Sequence, residues 1–308
     1  MNKGDSMEII VLGAGSDLGV HIDGAKLGPG QLLNDIKSFY NGETLLLQQG
    51  DDIIKSRHLG DRRKNEYEVD KFNSNMYKTL CEYYEKDYFP IVLGGDHTVA
   101  IPSALASIKH HDSIGMIWID AHTDYNTFET TITGNLHGLP CAAITGYKNK
   151  DMTTYHDGKT IQPAKTVIVG ARSIDPKEKE NLKYAGVTVF STEDLKVKGV
   201  EAVMEEAFKI ATFKTNGVHI SFDLDIIDPE IAPGVSVPEF DGINEEEALK
   251  INECILKRMK DVVSYDLVEF NPLRDIDRKT EQIALNLLAQ VIPYARNKDK
   301  YDNKKPLY

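Results

Sequence analysis

Two short segments of the 308-residue chain place acidic and imidazole side chains at spacings that suit metal binding. Asp120, His122 and Asp124 alternate along the chain, and so do Asp223 and Asp225. Near a strand end, alternate side chains point to the same side, so each segment would direct its ligands towards one point. Burying four carboxylates together costs several kcal/mol each unless cations neutralise them. The four aspartates therefore predict two divalent cations among them.

The ligand types narrow the choice of metal. Carboxylate oxygens with fewer imidazoles and no thiolate suit manganese or another fairly hard divalent ion. Two such ions a few Å apart can share a water, lower its pKa and hold hydroxide near neutral pH. The three cysteines, Cys81, Cys141 and Cys254, are too far apart for a Cys-x-x-Cys zinc pair. Such a sparse, odd set favours reduced thiols and a cytoplasmic location.

Short and nearly continuous apolar runs precede these side chains, as is typical of strands covered on both faces. The runs are Glu8–Leu12, Phe89–Leu93, Ile114–Ile119, Thr166–Val169, Val187–Phe190, Val218–Phe222 and Val262–Val268. Helical patterns cover Val99–Lys109, Val200–Ala211, Glu245–Met259 and Glu281–Ala289. This order predicts an α/β fold, a three-layer α-β-α sandwich with a mainly parallel sheet. The polar stretch Asp51–Asp70 is interpreted as a surface loop, and the tail from about residue 296 to 308 as loose.

Titratable groups follow four of the predicted strands, where ligands of open α/β sheets bind. An isolated aspartate at a strand end is more often a turn or helix cap, and Asp96 and Asp228 suit that interpretation. Structural needs do not explain a whole series of such groups on one rim. The series consists of His97, Asp120, His122, Asp124, Asp223, Asp225 and Glu269.

The overall composition argues against several classes of protein. Thirty-six Lys+Arg against 48 Asp+Glu give a net charge of −12, which disfavours nucleic acid or an anionic membrane as the main partner. Apolar residues make up 41% of the chain, enough for a large core. The apolar runs are shorter than the roughly 18 residues of a membrane span. The first six residues lack the apolar stretch of a signal peptide, so we expect none.

Three motifs resemble the signature motifs of the ureohydrolases, the family that includes arginase, agmatinase and formimidoylglutamase. They are Gly94-Gly95-Asp96-His97-Thr98, Asp120-Ala121-His122-Thr123-Asp124 and Ser221-Phe222-Asp223-Leu224-Asp225. The resemblance extends from Ile9 to about Val291. It implies one ureohydrolase domain over residues 1–308, with two manganese ions at the strand ends. It also implies a homotrimer or a homohexamer.

The resemblance assigns the metal ligands to two overlapping sets. One manganese would be held by His97, Asp120, Asp124 and Asp223. The other would be held by Asp120, His122, Asp223 and Asp225, so that Asp120 and Asp223 bridge the two ions.

The loop after the second motif resembles that of arginases rather than that of agmatinases. In arginases, an Asn, a Ser or Thr and a second Asn bind the α-carboxylate of the amino acid, and Asn126, Thr133 and Asn135 occupy these places. Turn formation would also explain such residues, but the spacing favours the arginase interpretation. Asp175 resembles the aspartate that meets the substrate α-amino group, although it also suits a helix cap before Pro176.

Three further assignments concern the reaction. His137 resembles a loop histidine that shuttles protons or acts as general acid, a role that suits its pKa. Glu269 resembles the glutamate that pairs with the guanidinium, although an ion pair within the protein is the alternative. Asp124 would take a proton from the bridging species. Together they imply hydrolysis of L-arginine to L-ornithine and urea, by attack of metal-bound hydroxide on the guanidinium carbon.

Some positions depart from the family pattern and keep other functions open. Ser173 stands where arginases often have Asp, while Ser236 and Val237 replace Gly and Thr of a bacterial APGVGTP segment. Another ureohydrolase, acting on agmatine or on another guanidino or formimidoyl compound, and a metal-binding member of reduced activity are therefore alternatives. A nucleotide-binding protein is a further alternative, because Gly13–Gly19 vaguely resembles a dinucleotide fingerprint. Its third glycine comes one residue late, and Gly24–Gly30 interrupts the expected helix.

Overall fold

A computed structural model describes residues 7–56, 58 and 60–297 of the chain. Its sheet has eight strands: β1 (Glu8–Gly15), β2 (Glu43–Gln48), β3 (Tyr88–Gly94), β4 (Gly115–Ile119), β5 (Thr166–Ala171), β6 (Thr188–Ser191), β7 (Val218–Asp223) and β8 (Val262–Val268). The order across the sheet is β2-β1-β3-β8-β7-β4-β5-β6, and every neighbouring pair is parallel. The predicted parallel sheet is confirmed.

Helices cover both faces of this sheet. They are α1 (Gly28–Asp35), α2 (Glu66–Tyr84), α3 (Ala100–His111), α4 (Pro140–Ile144), α5 (Pro176–Ala185), α6 (Thr192–Lys198), α7 (Val200–Ala211), α8 (Glu245–Lys257) and α9 (Lys279–Arg296). Each of these described helices is too short or too polar to cross a membrane.

Two hydrophobic cores, one on each face, follow from the alternation of side chains along the strands. In β1, Ile9 and Val11 pack on one face with α1, α6, α7, α8 and α9. Ile10 and Leu12 pack on the other face with α2, α3, α4 and α5. Because both faces are buried, the strands are almost continuously apolar, and the three-layer sandwich is confirmed.

Two predictions about the N-terminal third were wrong. Strand β2 was missed because each of its residues is at least partly exposed at the sheet edge, so its apolar pattern is weak. The predicted loop Asp51–Asp70 is too long, since α2 begins at Glu66. The buried face of α2 includes Val69, Met76 and Leu80. Its helical spacing becomes visible only beyond the polar stretch, where most of these residues lie. At the other end, α9 ends at Arg296, and residues 298–308 of the predicted tail lie outside the described residues.

The sheet order brings the chemically important strand ends together. Strands β3, β8, β7 and β4 are consecutive neighbours and run in the same direction. The residues that follow them therefore meet at one edge of the sheet. No helix follows the glycines of β1 directly, since loop residues 16–24 lie between them and the turn at Ala25–Leu27. That arrangement differs from a dinucleotide fingerprint, in which the helix starts within the glycine motif.

Candidate metal centre and active site

His97 stands at the centre of a first cluster of carboxylates. Its Nδ1 atom lies 3.0 Å from Asp223 Oδ2, 3.1 Å from Asp120 Oδ2 and 3.3 Å from Asp124 Oδ2. Its Nε2 atom lies 2.8 Å from the hydroxyl oxygen of Ser221 on β7. The ring is thus held from one side by a serine, and its other nitrogen faces three acidic groups.

His122 stands in a second cluster that shares Asp120 with the first. Its Nδ1 atom lies 2.9 Å from Asp225 Oδ2 and 3.5 Å from Asp120 Oδ1. The two oxygens of Asp120 therefore face different histidines, which suits a carboxylate between two ions. Asp223 directs Oδ2 to His97 and accepts a hydrogen bond from the Asp225 amide on Oδ1, at 2.7 Å.

Burial and mutual repulsion dominate the electrostatics of these carboxylates. Burial, reinforced by the charge of Asp120, raises the pKa of Asp124 to about 7 and that of Asp225 to about 6. Burial and the charges of Asp225 and Asp120 raise the pKa of Asp223 well above its usual value. Burial opposes a charge on Asp120 as well, but the adjacent imidazoles of His122 and His97 lower its pKa overall. Only a strong positive counter-charge would let all four ionise together.

The donor set fits divalent cations. The Nδ1 atom of His97 is buried and has no hydrogen-bond partner among the described residues, although three carboxylates surround it. His97 with Asp120 and Asp223 forms one group of mutually close ligand atoms, and Asp120 with His122 and Asp225 forms another. The groups contain oxygen and nitrogen donors and no sulfur, which is the set expected for a hard or borderline ion.

A pocket of about 250 Å³ opens beside the two clusters. It is lined by residues that the sequence singles out: His122, Asp124, Asn126, Thr133, Asn135, His137, Ser173, Asp175, Asp223, Asp225 and Val237. Sequence reasoning missed the other lining residues, among them His21, Glu178 and Glu239. His21 and Glu239 lie in two separate loops, and Glu178 lies in α5. The sequence around each of them has no motif that indicates a shared pocket.

The loop residues of the pocket are held by polar contacts. Asn126 Nδ2 donates to Asp175 Oδ2 at 3.1 Å, so the two lie next to each other. Asn135 Nδ2 lies 2.9 Å from His21 Nδ1, and Asn135 Oδ1 is buried without a hydrogen-bond partner among the described residues. Asp175 is also the N-cap residue of α5, where its amide donates to Glu178 Oε2 at 3.1 Å. Capping the helix therefore does not remove Asp175 from the pocket.

Glu269 contacts both His97 of the first cluster and His137. Its Oε1 atom accepts from the His97 backbone amide at 2.8 Å and lies 3.0 Å from His137 Nδ1. Its Oε2 atom is buried and has no hydrogen-bond partner among the described residues. Burial disfavours a charge on His137, but the adjacent Glu269 carboxylate raises its pKa overall. The backbone of Glu269 has φ = 68°, a left-handed conformation that residues other than glycine adopt rarely.

The departures from the family motif have different environments. Ser236 is fully buried, and its hydroxyl accepts from Asn271 Nδ2 at 3.2 Å, so it stabilises the segment after Glu269. Val237 and Ser173 line the pocket. Of the three departures, only these two face the space that a substrate would fill.

The chain matches known proteins over most of its length. The Arginase family model matches residues 7–293. The chain is similar to an arginase of Bacillus caldovelox, with 34% identity over 92% of this chain and 97% of the relative. An arginase of Bacillus subtilis strain 168 has 33% identity over the same shares.

Solved structures have the same fold. The native arginase of Bacillus caldovelox superposes with a TM-score of 0.85 and 31% identity, covering 92% of this chain and 98% of that one. The Entamoeba histolytica arginase, solved in complex with L-ornithine, has a TM-score of 0.84 and 25% identity, covering 94% and 99%.

Proposed function

The chain belongs to the arginase family, and on this premise we propose that it hydrolyses L-arginine to L-ornithine and urea. The observation that carries the proposal is the position of one pocket between two carboxylate–imidazole clusters and a loop of neutral amides and hydroxyls. The clusters suit metal-assisted attack on a carbon. The loop suits the polar head of an amino acid.

The proposed cofactor is a pair of manganese ions. His97, Asp120, Asp124 and Asp223 would hold one ion, and Asp120, His122, Asp223 and Asp225 the other. The charges of the four carboxylates match those of two divalent ions, and the oxygen–nitrogen donor set suits manganese. When bound, the ions would lower the pKa of a shared water and supply hydroxide for attack on the guanidinium carbon.

The head of the substrate would bind at the far end of the pocket. Asn126, Thr133 and Asn135 offer neutral donors to the α-carboxylate. Asp175, 3.1 Å from the Asn126 amide, offers a carboxylate to the α-ammonium group. Because the two groups lie side by side, one end of the pocket can recognise both charges of an α-amino acid. The relative from Entamoeba histolytica was solved with L-ornithine, the amino acid that this reaction would release.

The reacting end would lie beside Glu269 and His137. The buried Glu269 Oε2, which has no hydrogen-bond partner among the described residues, offers an acceptor for the guanidinium group. Binding there would hold the guanidinium carbon in a fixed place, which lowers the entropy cost of attack. Asp124, which belongs to the His97 cluster and also lines the pocket, is placed to take up a proton. His137, with its pKa raised beside Glu269, can give one to the leaving amine.

A urea-release assay tests the proposal. Protein stripped of metal and then loaded with manganese should release urea from L-arginine and produce ornithine in equal amount, whereas the stripped protein should not. Agmatine lacks the α-carboxylate, so its rate should be far lower. Release of urea from agmatine at the rate seen with arginine would instead favour the agmatinase alternative. Sedimentation of the same sample would test the predicted homotrimer or homohexamer.

A further inference from the structure

Glu239 faces the nitrogen of the His122 ring that points away from Asp225 and Asp120. Its Oε1 atom is 3.4 Å from Nε2 of His122 and accepts a hydrogen bond from the Ser173 hydroxyl at 3.1 Å. The side chain is 34% exposed and lines the pocket. Glu239 lies two residues after Val237, and its partner Ser173 stands where arginases often have Asp.

The backbone that carries Glu239 is tied to the metal-ligand loop. The guanidinium of Arg172 donates to the carbonyl oxygens of Asp225 at 2.8 Å and Ile226 at 3.0 Å. It also donates to those of Glu239 and Phe240, both at 2.9 Å. One planar cation thus joins the start and the end of the connection between β7 and α8. Movement of Glu239 relative to Asp225 would break several charge-assisted hydrogen bonds.

The two nitrogens of His122 face different partners. Nδ1 faces Asp225 and Asp120, where the proposed ion would lie, whereas Nε2 faces Glu239. An imidazole that binds a metal through one nitrogen carries its proton on the other. A carboxylate at that other nitrogen fixes both the tautomer and the orientation of the ring.

We propose that Glu239 is a positioning residue that orients His122 for the ion of the Asp120–His122–Asp225 cluster. Ser173 holds the Glu239 carboxylate from the side, and Arg172 holds its backbone. Glu239 and Ser173 together place a carboxylate on this wall of the pocket. Arginases commonly have an aspartate at the position of Ser173. The inference rests on the metal centre proposed above.

Manganese binding to metal-stripped protein tests this role without any turnover. Calorimetric titration of the wild type should resolve two ions per chain. Glu239→Ala should weaken one of the two sites about 10–100-fold and leave the other unchanged. Glu239→Gln keeps an oxygen that can accept from His122 and Ser173, so it should recover most of the affinity. Glu230 is an exposed glutamate that lies, like Glu239, between β7 and α8, so Glu230→Gln is the matched control. It should bind manganese as the wild type does.

Kinetics at saturating manganese separate this role from direct contact with substrate. If Glu239 acts through His122, Glu239→Ala should lower kcat while KM for arginine changes less than about twofold. A raised KM with unchanged manganese affinity would overturn the inference and assign Glu239 to the substrate. Unchanged affinity together with unchanged kinetics would also overturn it. If the wild type binds no manganese, both the proposed metal centre and the role of Glu239 are wrong. If the wild type binds two ions and Glu239→Ala binds both with unchanged affinity, only the role of Glu239 is wrong.

Discussion

The imidazole of His97 lies flat on the indole of Trp118, with ring centroids 3.9 Å apart and planes 9° from parallel. The indole Nε1 donates to Asp120 Oδ2 at 2.9 Å, the same oxygen that lies 3.1 Å from His97 Nδ1. One buried aromatic side chain on β4 therefore supports a proposed ligand from each of two strand ends. The proposed metal centre depends on this packing as well as on its ligands.

Trp118 is the only tryptophan of the chain, so its fluorescence should report directly on the metal centre. We expect manganese, a paramagnetic ion, to quench the emission of metal-stripped protein in a saturable titration. Asp120→Ala removes the shared ligand and should abolish both the quenching and the urea release. A titration of Asp120→Ala that still saturates as the wild type does would contradict the bridging role of Asp120.

Trp118→Phe separates the stacking from the hydrogen bond. Phenylalanine keeps an aromatic face for His97 but cannot donate to Asp120, so manganese affinity should fall modestly while the fold is kept. Because this variant has no tryptophan, its affinity is measured by calorimetry. Equal affinities of the variant and the wild type would mean that the indole donor contributes nothing to the site.

Stabilisation by manganese should increase as the pH rises from about 5.5 to 8. Without metal, Asp225 and Asp124 have pKa values of about 6 and about 7, above the value near 4 of an unfolded aspartate. A raised carboxyl pKa means that the folded state binds the proton more tightly, so the metal-free fold loses stability as the pH rises through these values. The raised pKa values of His97 and His122 act in the same direction. Manganese replaces the protons and removes this loss.

The measurement is the shift in Tm on adding manganese, taken across that pH range. At about a hundred times Kd, a ligand stabilises the folded state by about 2.7 kcal/mol, and Kd itself should fall as protons cease to compete. Asp124→Asn removes one of the titrating carboxyls and should flatten the pH dependence. A shift that is constant from pH 5.5 to 8, or larger at the acid end, would contradict the prediction.

The grouping of the proposed ligands could be predicted from the sequence, because each of them follows a strand within one short motif. Asp120, His122 and Asp124 need only the local alternation of a strand end, and parallel strands bring such ends together. The strands that it predicts are the buried ones, whereas the exposed edge strand β2 has no comparable apolar signal.

The parts that were missed depend on contacts between distant segments. Arg172 donates hydrogen bonds to carbonyl groups 53 to 68 positions further along the chain, and Glu239 contacts His122 from a distant segment. Trp118 lies within an apolar run that carries no sign of function, yet it contacts two proposed ligands, His97 and Asp120. Side-chain direction at such positions is set by packing of the whole sheet, so local spacing could not reveal it.

Asn126→Asp should weaken arginine binding more than it weakens metal binding. Asn126 donates to Asp175 at 3.1 Å, and an aspartate there would repel both Asp175 and the proposed α-carboxylate of the substrate. We expect KM for arginine to rise about tenfold or more, which corresponds to about 1.4 kcal/mol. Agmatine has no carboxylate to repel, so its KM should rise less. If KM for arginine is unchanged, Asn126 does not contact the substrate carboxylate.

A buried contact between an aspartate and a histidine of neighbouring strands should determine much of the stability of the sheet. Asp266 Oδ2 on β8 lies 2.9 Å from His219 Nε2 on β7, and Asp266 Oδ1 accepts from Ser103 of α3 at 2.7 Å. All three side chains are buried. Asp266→Ala leaves the Ser103 hydroxyl without an acceptor and His219 Nε2 without its neighbouring carboxylate, which should cost about 3–5 kcal/mol of the free energy of unfolding.

Denaturant unfolding of the metal-stripped protein is the measurement, because it removes any contribution of metal binding. Asp266→Asn keeps an acceptor for Ser103 and should lose less stability than Asp266→Ala. Glu201→Ala breaks an exposed ion pair with Lys250, at 2.9 Å, and serves as the matched control, with little expected change because water screens that pair. Asp266 is not among the residues that line the pocket, so folded Asp266→Ala protein should still bind two manganese ions. If Asp266→Ala unfolds at the same denaturant concentration as Glu201→Ala, the buried contact contributes no more than a surface ion pair, and backbone pairing and apolar packing hold β7 and β8 together without it.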